Sequence, residues 1–459
     1  MTGTRPQDLI EHALATTTSE ACIVIVQDST SANLRWANNT LTTNGVMHGV
    51  GVTVIAFHGA GNASVSGTAA ATDQVSALVE QADAAALAAP PADDRADLLT
   101  GETCADWDDP AATTSIEVYR DFAPALGEEF SRAEASARIL YGFVNHEVTT
   151  TYLGSSTGLR LRHVQPTGHY GCTGKTADLS SSAWVGGATR DFADVSAHSM
   201  ADELATRLGW GARRLDLPAG RYDTVLPPTA VADLMIDVYW SAGARVAHDG
   251  QSVYSRPGGG TRIGETVVAP GISLYSDPTY PGLQCAPFVV ASASSDESSV
   301  YDNGISLGRT SWIDNGVLTS LQQTRETAAV TGQPNTPGID NLVLEVAGGT
   351  GTTADLVAGM DDGLLLTCLW YIREVDPQTL LLTGLTRDGV YRVEGGEITG
   401  AVNNFRFNES PIELLRRSTA ASATVPSFSR EWGDDYFSRT ATPALRLPDF
   451  NMSSVSQAL

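Results

Sequence analysis

The spacing of apolar positions changes period several times along the chain, and each change marks an element. Leu9, Ile10, Ala13 and Leu14 form one stripe across Pro6 to Ala15 and predict a short amphipathic helix. Cys22-Ile-Val-Ile-Val26 is an unbroken apolar run of strand length; Asn33 to Asn38 and Gly51 to Phe57 read as further strands. Helical spacing returns from Thr72 to Ala88 through Val75, Leu78, Val79 and Ala82. Helix, strands, helix is the order of an α+β layer. A comparable unit follows: a helix from Pro124 to Ile139, a strand from Tyr141 to Val148, a turn at Gly154 to Gly158, a strand from Leu159 to Val164, and a helix from Val195 to Leu208 stopped by Gly209. Gly220 to Leu226 is a strand closed by Pro227-Pro228. Thr229 to Ala247 reads as the clearest amphipathic helix. Val231, Leu234, Met235, Val238, Ala242 and Val246 make its apolar stripe, with Asp233 and Asp237 expected on the solvent side.

Beyond Gly250 short strands and glycine turns dominate. Asp302 to Ile305 and Ile313 to Leu318 carry hairpin signals. Leu364 to Ile372 reads as a strand buried on both faces, and Gly395-Gly396 joins Gly389–Glu394 to Glu397–Val402 as a hairpin. Asn403 to Asn408 is expected to continue the second arm. Ser410-Pro411-Ile412-Glu413 has the form of a helix start, with Ser as cap, Pro first and Glu reaching back. The expected division is an N-terminal α+β domain at 1–89, a linker at 90–114, a central α+β domain at 115–225 and a β-rich C-terminal domain at 226–459. The fold class is α+β.

Composition narrows the function. A formal charge of −25 and a pI near 4.5 disfavour direct contact with nucleic acid. No apolar run approaches the roughly 20 residues of a membrane span, and Met1-Thr-Gly-Thr-Arg-Pro has no signal-type apolar core, so a cytoplasmic location is expected. Cys22, Cys104, Cys172, Cys285 and Cys368 are scattered and odd in number, which excludes a disulfide framework.

Candidate chemistry is sparse. His12, His48 and His58 have no partner at ligand spacing. His146-Glu147 is half of a zinc-peptidase motif, but Thr149-Thr-Thr151 stands where a second imidazole is needed. His163, His169 and Cys172 are the one His/Cys cluster that could hold zinc; their spacing also fits a hairpin on which they need not converge. Gly348 to Thr353 lacks the Lys of a phosphate loop. Cys368 lies in a Leu- and Trp-rich strand without a nearby His, as an inert buried thiol would.

The wording of the C-terminal third carries more. Tyr371-Ile-Arg-Glu-Val-Asp-Pro-Gln-Thr379, Leu385-Thr-Arg-Asp-Gly389 and Ala401-Val-Asn-Asn-Phe-Arg-Phe-Asn-Glu-Ser410 closely resemble the C-terminal domain of the TldD/PmbA family, zinc peptidases once described as modulators of DNA gyrase. The likeness is strong after Gly220 and holds at the level of pattern before it. In catalytic members, the resemblance implies, a helix at the place of Thr229–Ala247 carries His-Glu-x-x-x-His and a Cys near the C-terminus adds a ligand. Here no histidine lies between His198 and His248 or after His248, no cysteine follows Cys368, and Glu431-Trp-Gly-Asp-Asp435 stands where the Cys is expected. The resemblance therefore implies a TldE (PmbA)-type chain with no catalytic residues and no cofactor of its own. Zinc would reside in a metal-bearing TldD-like paralogue, and the pair would act on unfolded or leader peptides, without nucleic acid or membrane. The peptide is expected to add as a strand to a sheet edge, with the Gly-rich strands after Gly250 allowing close approach. A self-sufficient metallohydrolase at His163, His169 and Cys172, or a peptide-binding adaptor without catalysis, are the competing expectations.

Overall fold

The computed structural model describes residues 4–433 and 439–456. Its first half contains helices α1 (Pro6–Thr16), α2 (Thr72–Ala88), α3 (Phe122–Ala135) and α4 (Ala197–Trp210). Strands β1 (Ala21–Ala37), β2 (Thr40–His58), β3 (Gly61–Thr68), β4 (Arg138–Ser155), β5 (Arg160–Thr176) and β6 (Ser182–Thr189) accompany them. These strands form one antiparallel sheet in the order β3-β2-β1-β4-β5-β6. The units expected at 1–89 and 115–225 thus share a sheet, because β1 pairs with β4 from Ile23 opposite Ser155 to Trp36 opposite Gly142.

Period-two alternation along β1 explains how one sheet serves two helix pairs. Cys22, Val24 and Val26 pack against α1 and α2, while Ala32, Leu34 and Trp36, on the same face, pack against α3 and α4. Ile23, Ile25, Ile55 and Phe57 point the other way and meet Phe288, Val300 and Tyr301 of the C-terminal half. Burial on both faces is why the run Cys22–Val26 does not alternate. The 90–114 segment has no helix but is docked on the sheet: Gln7 donates to the Trp107 carbonyl, and the N–H groups of Ala112 and Thr114 donate to Thr150 and Thr30.

The second half holds α5 (Pro228–Trp240), α6 (Ala244–His248), α7 (Arg325–Thr331), α8 (Thr353–Ala358) and α9 (Pro411–Arg417). Its strands are β7 (Arg214–Leu215), β8 (Gly220–Leu226), β9 (Ile272–Ser276), β10 (Thr310–Asp314), β11 (Val317–Leu318), β12 (Leu342–Val346), β13 (Asp362–Leu366) and β14 (Leu369–Asp376), then β15 (Leu381–Thr386), β16 (Val390–Glu394), β17 (Glu397–Val402), β18 (Phe405–Glu409), β19 (Ala420–Ala421), β20 (Val425–Ser427), β21 (Thr440–Thr442) and β22 (Leu445–Val455). One sheet runs β11-β10-β9-β12-β21-β20; the other runs β14-β15-β18-β22-β8-β13-β16-β17-β7, with β19 on β22. Strand β8 pairs with β13 and β22, so it belongs to this half although a boundary at 225/226 would assign it to the central domain. The class is α+β, as expected. Among the described residues no helix is long and apolar enough to cross a membrane.

Helix α5 packs in the largest core, where Val231, Leu234, Met235 and Val238 meet Leu274, Trp312, Leu344 and Leu366. It is buried nearly all round rather than amphipathic, and it ends at Trp240 instead of running to Ala247. The break has a cause: the Ala242 carbonyl and Ala244 N–H bond to the backbone of Gln322, whose side chain also donates to the Tyr239 carbonyl.

Other local expectations divide. The Gly395-Gly396 hairpin forms, with φ of 59° and 81° at its glycines. Leu364–Ile372 is two strands, separated at Thr367 by its bonds to the Gly389 carbonyl. Asn403–Asn408 starts a new strand that pairs with β15. Asp302–Ile305 forms a tight turn rather than a hairpin. Ser410 does not cap α9; its hydroxyl donates to Thr379, and Glu413 pairs with Arg416.

Candidate functional site

The two places where the family resemblance puts metal ligands come together in space. Residues Ser429 to Trp432 close over α5. The Ser429 hydroxyl donates to Asp233 Oδ1 at 2.7 Å, the Glu431 N–H donates to the same oxygen at 3.0 Å, and the Trp432 indole donates to the Asp233 carbonyl at 3.3 Å. Trp432 also packs edge-on against Trp240, with ring centroids 4.9 Å apart. Asp434 and Asp435, at the end of the stretch expected to replace the Cys, lie outside the described residues.

Asp233 and Asp237 are therefore not a solvated pair. Asp233 is 1% exposed, and the Oδ2 atoms of both lack a hydrogen-bond partner among the described residues. Burial pushes Asp233 up to about 7 against the pull of Ser429, the Glu431 N–H and Arg430. Burial, then the charge of Asp233, pushes Asp237 up to about 7. The apolar stripe hid this, because core closes around α5 on the side assigned to water.

A guanidinium sits beside the pair. Arg430 lies over two indoles, 4.4 Å from the Trp370 centroid and 5.1 Å from that of Trp184. It donates to the Cys368 sulfur and, at 3.4 Å, to Asp388, which also accepts from the Ser182 hydroxyl. Cys368 is buried, and burial pushes its thiol up to about 12. Glu431 is committed elsewhere, accepting from the Tyr371 and Ile372 N–H groups, each at 3.1 Å.

A zinc ion does not fit this donor set. It favours imidazole and thiolate around a tetrahedron. What is free here is two buried carboxyl oxygens, the Oδ2 atoms of Asp233 and Asp237, whose carboxyls burial pushes up. Among the described residues no three His, Cys, Asp or Glu side chains gather at metal-binding distance.

The His163, His169 and Cys172 cluster does not converge. All three lie on β5, a continuous strand rather than a hairpin. His163 and His169 share a face roughly 20 Å apart at ~3.4 Å per residue, and Cys172 points to the other. His163 bonds Gln165 and is held below its usual value by burial; His169 stacks on Phe428 with centroids 5.8 Å apart; Cys172 is in the core. His146 is structural, bonded to Thr114 and the Arg190 carbonyl.

Next to the clamp of Arg430 opens a cleft of about 1280 Å³. Two sheet edges, β6 from the first half and β20 from the second, line it. Tyr170, Trp184, Gly186, Gly187, Pro426 and Phe428 contribute to its walls. The glycines answer to the rings: a Cβ on Gly187 would lie 2.8 Å from Tyr170, and one on Gly186 would enter the Trp184 indole. The glycine-rich edge at the cleft is thus in β6, not in the strands after Gly250. Arg430, Trp184, Trp370 and Asp388 carry no sequence signal as a group, since they come from four separate segments.

Fold and site together define a chain built on a metallopeptidase scaffold whose expected metal position holds carboxyls and a guanidinium. Residues 219–454, more than half of the chain, match the PmbA/TldA metallopeptidase C-terminal domain, and residues 22–86 match the PmbA/TldA metallopeptidase domain 1. The chain belongs to the TldD/PmbA family. TldE from Thermococcus kodakarensis has the same fold, with TM-score 0.75 at 14% identity over 97% of this chain and 99% of that one. So does a proposed modulator of a DNA gyrase from Thermotoga maritima, with TM-score 0.77 at 16% identity over 97% and 99%. A proposed DNA gyrase modulator from Bacteroides thetaiotaomicron gives TM-score 0.74 at 14% identity over 98% of each chain. No curated protein matches the chain in sequence.

Proposed function

We propose that this chain is a TldE (PmbA)-type, non-catalytic subunit of a heteromeric metallopeptidase. A paralogue bearing His-Glu-x-x-x-His would carry the metal and the hydrolysis; this chain would contribute a cleft that holds an unfolded or leader peptide. The observation that carries the reading is the donor set at α5, where Asp233 and Asp237 stand and where, among the described residues, no three His, Cys, Asp or Glu side chains gather to hold a metal. The cleft supports the peptide's place. A strand added along β6 would satisfy edge N–H and C=O groups beside a wall of aromatic rings. The charge of −25 accords with a peptide rather than a nucleic-acid ligand.

The test is reconstitution. Metal analysis of the purified chain is expected to find no stoichiometric zinc, and an unfolded-peptide substrate should stay intact until the metal-bearing paralogue is added. Stoichiometric zinc in the isolated chain, or hydrolysis by it alone, would refute the reading.

A further inference from the structure

Arg430 is the group at this site that neither the fold nor the proposed role accounts for. A cation whose side chain is only 12% exposed needs partners for most of its N–H groups. Its guanidinium carbon lies over the Trp370 ring at 4.4 Å from the centroid and over the Trp184 ring at 5.1 Å, and it donates to the Cys368 sulfur and to the Asp388 carboxylate. The partners come from different parts of the molecule. Trp184 and Ser182 lie on edge strand β6 of the first sheet, whereas Cys368, Trp370 and Asp388 belong to the C-terminal sheet or its turns. Trp184 is at once one jaw of this clamp and a wall of the cleft.

We propose that Arg430 is the resident cation of this site. Its guanidinium occupies a seat formed by two indoles, a thiol sulfur and a carboxylate, is paired there with Asp388, and fastens edge strand β6 to the C-terminal sheet. Arg430 is thereby a positioning residue: it sets the Trp184 ring, and through it the floor of the cleft on which Gly186 lies. Planarity matters as much as charge, since a compact ammonium cannot contact two indoles and donate to Cys368 and Asp388 together. The proposal stands on side-chain geometry and holds or fails independently of the subunit role.

The test uses the full chain. Arg430→Ala leaves an empty guanidinium-shaped seat. Its thermal midpoint is expected to fall by several degrees and its tryptophan emission to shift to the red as Trp184 and Trp370 gain water. Free guanidinium chloride at about 20 mM, too dilute to denature, should restore about half of the lost midpoint by binding the folded state. The same concentration of potassium chloride should restore none, and an exposed-site control, Arg35→Ala, should not respond. Arg430→Lys keeps the charge and provides a second arm: its midpoint should lie between those of Arg430→Ala and the wild type. A midpoint for Arg430→Lys equal to that of the wild type would overturn the seat. So would rescue of Arg430→Ala by potassium as good as by guanidinium. Should Arg430→Ala not fold, the Lys comparison decides alone. Zinc content and peptide hydrolysis of the wild type bear on the subunit role and leave this result untouched.

Discussion

Replacing Asp237 by Asn removes a charge from a place that resists it, and the effect has a definite sign. Asp237 Oδ2 has no hydrogen-bond partner among the described residues, and burial holds the carboxyl at about 7 against an ordinary value of 3.8. An acid raised in this way binds a proton in the folded state that the unfolded chain has already released. The native state therefore keeps its full stability only below the unfolded value and loses it as pH climbs to about 7. The loss is about 1.4 kcal/mol per pH unit, or about 2 kcal/mol between pH 5.5 and pH 7. Asn has the same shape and no charge. The stability gap in favour of Asp237→Asn should thus widen by about 2 kcal/mol over that range and stay flat above it. For a chain of this size about 1 kcal/mol moves the thermal midpoint by about 1 °C, so the expected divergence is ~2 °C. Thermal midpoints of wild type and variant from pH 5.5 to 8.5 measure it, and the difference between them cancels the pH response of every group except Asp233, whose charge interacts with Asp237. Parallel curves would refute the reasoning, because they would mean that Asp237 is ionised in the folded state throughout.

Ser429→Ala removes a 2.7 Å bond to Asp233 and should cost about 1–2 kcal/mol, more at pH 8 than at pH 5.5 because the bond favours the charged carboxylate; denaturation at the two pH values reads this out. Gly187→Val drives a side chain into Tyr170, and should destabilise by about 1–3 kcal/mol while weakening capture of a labelled unfolded peptide, which fluorescence anisotropy follows. His169→Ala loses the stack on Phe428, about 0.5–1.5 kcal/mol, and should leave metal content unchanged; a drop in bound zinc would revive a site on β5. Iodoacetamide at pH 8 should leave Cys368 unmodified in the native chain and alkylate it after unfolding, as peptide mass mapping will show, since burial holds its thiol at about 12.

The letters of the chain carry what depends on residue type or short spacing. Period-two and helical patterns located α1, α2, β8 and the β16–β17 hairpin, because those elements answer to neighbours a few positions away. The lack of imidazole after His248 and of thiol after Cys368 is equally a property of the letters, as is the wording that led to the family. Folding decided the rest, because it depends on contacts between distant segments. The apolar stripe of α5 is the same whether water or the 429–432 segment covers Asp233, and only closure of that segment made the carboxyl a buried one. Joining of β1 to β4 turned two expected domains into one sheet. Trp184, Cys368, Asp388 and Arg430 have no spacing to betray them; two sheets had to pack before a cation could find its seat.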